Sequence, residues 1–159
     1  MKIIASIVLA WSLLTGVAAL PASEPSVYKA ETAAPLEQVY PKVYAALEAN
    51  RFFVVFEADI GANLSRFAER WGDDYNRNHL TGIRSMVVCN GWYANQVSNL
   101  DPDMLALCPL RLTLIEQAGK TRVLFARPSV IAAGSPALAI LKEVESLVIR
   151  AIDEGLKAK

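Results

Sequence analysis

The chain has 159 residues, its 16 lysines and arginines are balanced by 16 aspartates and glutamates, and 53% of it is hydrophobic. Neither charge sign dominates a long block, so the electrostatic footprint that a phosphate backbone demands is missing and no nucleic-acid partner is expected. The length suits one domain with a real core.

The start of the chain carries the clearest signal. Lys2 supplies a positive n-region, "IIASIVLAWSLLTGVAAL" an apolar core, and Val17, Ala18, Ala19 and Ala22 the small residues of a cleavage site. That layout predicts a secretory signal peptide over residues 1–19, cut after Ala19 or Ala22. A membrane anchor is the competing reading, but the apolar stretch barely spans a ~30 Å hydrocarbon core and runs into Pro21 and Pro25. The expected product is a periplasmic or secreted protein with no stable membrane anchor after cleavage. About 140 residues remain as a single α+β domain, residues 20–159, in a disulfide-permissive compartment.

In the mature chain, "SVYKAETA" (26–33) alternates weakly and reads as a first strand. "PLEQVYPKVYAALEANR" places Leu36, Val39, Val43 and Leu47 at helical spacing, with Pro41 predicting a kink or a late start. "FFVVFEADI" (52–60) is β-branched and aromatic, a buried strand. Residues 61–71 then carry Leu64, Phe67, Ala68 and Trp71 on one helical face, which predicts core packing, before the polar loop "GDDYNRNHLTG" (72–82). "IRSMVVCN" (83–90) is a short strand ending at Cys89, and residues 91–106 read as one or two helical turns broken at Asp101-Pro102. Residues 108–131 form a hairpin about the turn "QAGK". Ser135 and Pro136 then predict the N-cap and first turn of a long helix with Leu138, Leu141, Val144, Val148 and Ile152 on one face.

The order is strand, helix, four strands, helix, with short helical insertions. It predicts an α+β fold, an antiparallel four- to five-stranded sheet with two main helices on one face. "RFFVVFEADI", "SMVVCNGWYANQ" and "ALCPLRLTLIE", followed by the hairpin and terminal helix, make the chain resemble the bacterial family known as domain of unknown function 302 over about residues 26–157. The resemblance implies a TATA-binding-protein-like β-α-β4-α fold, a frequent homodimer, and no established reaction. Cys89-Asn90 and Cys108 match family positions; Gly91, and the order Leu107-Cys108-Pro109, depart from its usual proline placement.

Cys89 and Cys108 are the only cysteines. If their strands are antiparallel neighbours they lie within disulfide reach, and an even count in an exported chain favours a bridge. The alternatives are a thiol pair that cycles or holds a soft metal or haem iron, with Met86, Met104 and His79 as further candidate ligands, or thiols that merely pack. No cofactor is specified, because no C-x-x-C or C-x-x-C-H is present. Asn90, Trp92 and Tyr93 form a candidate pocket beside Cys89.

For catalysis the residues offer little: His79 is the sole imidazole, no G-x-S-x-G elbow occurs, and Asp73-Asp74 sit in a polar loop. Ile140, Leu147 and Ile149 lie off the main stripe of the last helix and would mark a dimer seam. The leading expectation is a non-enzymatic small-ligand binding or sensing domain with a bridged cysteine pair; the alternative is a periplasmic redox or metal-handling protein.

Overall fold

The computed structural model describes residues 24–158, and the expected leader with its cleavage sites lies outside them. In chain order the elements are β1 (Val27–Thr32), α1 (Leu36–Ala49), β2 (Phe53–Asp59), α2 (Ile60–Ser65), α3 (Ala68–Trp71), β3 (Gly82–Cys89) and α4 (Gly91–Leu100). There follow β4 (Leu110–Gln117), β5 (Lys120–Ala126), α5 (Pro128–Ile131) and α6 (Leu138–Lys157), with 3-10 turns at Gly72–Asp74 and Pro102–Leu107. The five strands form one sheet in the order β1-β5-β4-β3-β2, every neighbouring pair antiparallel. This is the expected α+β class.

Alternation along the strands divides the sheet into two faces. Met86, Val88, Leu112, Leu114, Val123 and Phe125 point to one side, where Val39, Val43 and Leu47 of α1 and Val144, Val148 and Ile152 of α6 close over them. Fully burying each such side chain stabilises the fold by roughly 1.5–3 kcal/mol. The alternate residues, among them Lys29, Phe53, Arg111 and Ala126, are exposed. The helices cross closely at Gly155, where a Cβ would come 2.7 Å from the Val43 Cα, so a side chain there would force them apart.

Polar groups pin the helices at their edges. Tyr28 donates to Asp153 at 2.6 Å and Tyr40 to Glu57 at 3.0 Å, while the Arg84 guanidinium lies 3.8 Å from the Tyr40 ring centroid. Burial, then the adjacent carboxylate, pushes the Tyr28 hydroxyl up to about 12. Glu145 of α6 is buried yet charged: its carboxylate accepts from the Ser129 backbone N–H at 3.0 Å and from Arg127 at 2.7 Å. Burial alone would raise its pKa, but those hydrogen bonds and the guanidinium outweigh it and hold the carboxyl below the usual range.

Several expectations are corrected. The first main helix starts at Leu36 and runs through an exposed Pro41, so the late start does not occur. The stripe Leu64, Phe67, Trp71 is not core: the segment breaks into α2 and α3, neither buries a residue, and the three side chains are 37%, 44% and 40% exposed. The physical reason is that α1 and α6 already cover the inner face of the sheet, so α2 packs only against the start of β3, where a Cβ on Gly61 would come 3.2 Å from the Ile83 N. The regular span of the last helix begins at Leu138, and Ser135 caps the turn that leads into it: its Oγ accepts from the Ala137 N–H at 3.1 Å and its carbonyl from the Leu138 N–H at 3.1 Å, while its hydroxyl donates to Asp101 at 2.5 Å. Ile140, Leu147 and Ile149 are half-buried against the main core, so they do not form the free apolar seam expected of them.

Candidate functional site

Cys89 ends β3 and Cys108 follows the Pro102–Leu107 turn just before β4. Val88 pairs with Leu110, so continuing the ladder one step sets Cys89 opposite Pro109 and Cys108 diagonal to it. Both thiols are half-buried and unbridged, with their Sγ atoms 3.9 Å apart. The Cys108–Pro109 peptide is cis. Closing a disulfide of about 2.05 Å from this separation asks for a sulfur displacement of roughly 1.9 Å.

Asn90 fixes the neighbouring chain direction. Its side-chain oxygen accepts from the Trp92 and Tyr93 N–H groups at 3.0 and 3.3 Å, capping α4, and its amide donates to the Arg51 carbonyl at 3.0 Å. Tyr93 stacks parallel to Phe52 at 6.2 Å between centroids, while its hydroxyl donates to Glu143 of α6 at 2.6 Å. That hydrogen bond raises the Tyr93 pKa.

The thiols face a narrow cleft of about 30 Å³. Asn90, Tyr93 and Met104 line it with the two cysteines. A space of that size holds about two waters or a single ion. Trp92, expected in this pocket, instead stands 65% exposed. Met86 is fully buried in the main core, and His79 lies in the exposed loop before β3, so neither lines the cleft. Among the described residues no three histidine, cysteine, aspartate or glutamate side chains converge as a metal site. Burial, then the proximity of Cys89 and its hydrogen bond, pushes the Cys108 thiol up to about 11.

A second, larger cleft of about 660 Å³ opens between α2–α3 and the loop entering β3. Trp71, Tyr75 and Arg77 line it, and none of them was singled out as a site residue from the sequence. The available signal was an aromatic stripe beside a glycine-bounded polar loop, "WGDDYNRN".

Among the described residues no helix is long and apolar enough to cross a membrane. No curated protein matches the chain. Among solved structures it is similar to the uncharacterized conserved protein DUF302 from Bacillus stearothermophilus, with a TM-score of 0.69 and 19% identity over 81% of this chain and 97% of that one. That likeness is one of fold. The family described as "Domain of unknown function DUF302" matches residues 28–155, all of the sheet but Val27 and nearly all of α6, and the chain belongs to that family.

Proposed function

We propose that the protein is an exported, non-enzymatic domain whose Cys89–Cys108 pair closes to a reversible disulfide at the β3–β4 edge. The observation that carries this is the 3.9 Å Sγ separation of two half-buried thiols at adjoining strand ends. Closure joins the two sulfurs and releases two protons and two electrons, which reduce the disulfide of an external oxidant to two thiols. The bridge would close a loop of about twenty residues and stabilise the fold by roughly 3 kcal/mol in the chain-entropy model.

The alternative reading, a soft metal ion held by the same pair, draws support from Met104 in the cleft. An ion about 2.3 Å from each sulfur would subtend roughly 115° at the observed separation. Against it stands the donor set, since among the described residues no three histidine, cysteine, aspartate or glutamate side chains converge there as a metal site.

The test is intact mass with thiol labelling of the exported protein, before and after reductant, alongside elemental analysis. A mass lower by two hydrogens, with labelling only after reduction, supports the disulfide. Free labelling of metal-free protein sinks both readings, and stoichiometric metal establishes the alternative.

Homodimerisation is proposed through the uncovered sheet face in place of α6. Phe53, Val55 and Phe56 are 55–61% exposed there, at and beside a bulge in the edge strand. The β2 edge itself is guarded, since the Val54 N–H donates to Glu48 at 3.2 Å, which favours face-to-face burial over strand addition. Analytical ultracentrifugation of Phe56→Asp should give monomer where the parent gives dimer; a monomeric parent removes the proposal.

A further inference from the structure

The cleft beside Trp71 is a second site, independent of the thiols, and its lining specifies a chemical class of occupant. At about 660 Å³ it falls within the ~300–1,000 Å³ of small-molecule sites, whereas the thiol cleft does not. One wall is apolar: Leu64, Trp71 and Ile83 line it, and α2 and α3 bury no residue of their own. These two helices therefore carry large apolar side chains without placing any of them in the core, and the cleft is what those side chains border.

The facing rim is polar and neutral. Asp74 and Arg77 pair with each other, so their charges cancel, and Ser65, Tyr75 and Asn78 add groups that both donate and accept. The loop bearing them is shaped from within: Asn76 donates to the Leu80 carbonyl and accepts from the Leu80 N–H, both at 2.9 Å. An anionic ligand would have to displace Asp74 from Arg77, and a cationic one Arg77 from Asp74, each exchanging one ion pair for another, whereas a neutral group can donate to Asp74 and accept from Arg77 with the pair intact. A hydroxyl does both. An occupant with an apolar face for the indole and a rim of hydroxyls for the loop is a sugar ring.

From this geometry we infer that the cleft between α2–α3 and residues 74–83 binds an uncharged sugar ring, with its C–H face on Trp71 and its hydroxyls on the Asp74–Arg77 side. Phe67 already stacks on one face of the Trp71 indole, at 5.0 Å between centroids, so the stacking area for the sugar is the other face, and the rim supplies orientation.

The test is isothermal titration of the exported protein with methyl glucoside, N-acetylglucosamine and cellobiose. Glucuronate, glucosamine and nicotinamide serve as anionic, cationic and flat heteroaromatic controls. At least one neutral sugar should bind saturably with a Kd of roughly 1 mM or tighter. Trp71→Ala should weaken it ~10-fold or more and Asn78→Ala several-fold, while Trp92→Phe and Cys89→Ser leave it unchanged. Circular dichroism checks that the Trp71 variant is folded, and Trp71 is exposed enough to be replaced without loss of core. Absence of saturable binding by every neutral sugar overturns the inference. So does a Trp71→Ala protein that binds as the parent does, or a control that binds as tightly as the best neutral sugar.

Discussion

The connections on either side of β3 are made of similar material and come to opposite ends. Residues 60–81 and residues 90–109 each hold short helices with apolar side chains at helical spacing, and each lines a cleft. The first has no buried residue in either helix, whereas the second sends Val97 into a small core with Ala132, Ala137 and Leu141, flanked by Met104 and Leu107. The difference lies in what stands opposite. Residues 90–109 meet α5 and the start of α6, while residues 60–81 leave the far end of β2, where both main helices are already occupied by the sheet. Helical periodicity reports an apolar face; it does not report whether a partner surface is free.

The strongest way to break this comparison is to loosen the α5–α6 corner on which the second connection rests. Glu145→Ala removes a buried carboxylate from Arg127 and the Ser129 N–H, and should cost about 3 kcal/mol in urea denaturation at pH 7. Because the folded-state pKa of Glu145 is depressed, its contribution is complete above the unfolded glutamate value of about 4.3 and is lost as pH falls through the folded value. The gap between parent and variant should therefore narrow below roughly pH 4; a gap unchanged down to pH 3 would show that packing, not charge, is lost.

Val97→Ala probes the small core directly and should destabilise by about 2 kcal/mol. Asn90→Ala removes the cap of α4 and should cost about 1 kcal/mol, read as a fall of a few degrees in Tm. At the small end, Phe67→Ala in the first connection should stay within about 0.5 kcal/mol of the parent, since the ring is 44% exposed. If Phe67→Ala proved as harmful as Val97→Ala, the contrast between the two connections would collapse.

Much of the fold was legible because strands and main helices carry strong periodic patterns. Leu110, Leu112 and Leu114 face the core as their alternation requires, and Val39, Val43 and Leu47 do so at helical spacing. The meeting of Cys89 and Cys108 was legible too, once their strands were taken as antiparallel neighbours, because strand ends in such a pair are fixed by register. The rest depended on tertiary competition. Phe67 and Trp71 have the same spacing as buried residues, but the inner face of the sheet is already covered by α1 and α6 together. Ser135 caps as its sequence position suggests, but its second bond, a donation to Asp101 in a turn 34 residues earlier, carries no sequence signal. Trp92 lies two residues after Asn90 in sequence, but the cap turns it outward while Tyr93 turns in. The larger cleft was invisible for a related reason: its walls come from both sides of a polar loop, whose own shape rests on the Asn76–Leu80 hydrogen bonds and not on any spacing pattern.

The placement of β1 has a consequence for when the molecule takes shape. β1 has a single sheet neighbour, β5, and its register with residues 121–126 spans most of the chain; Tyr28 is tied further still, to Asp153. Among the described residues that strand pairs only with β5, so the edge it forms is completed only after the carboxyl-terminal half has been made. Such distant pairings close slowly, because the entropy of the intervening loop is lost before any contact returns it. The emerging chain therefore stays unfinished throughout synthesis, and its last helix completes what its first strand begins.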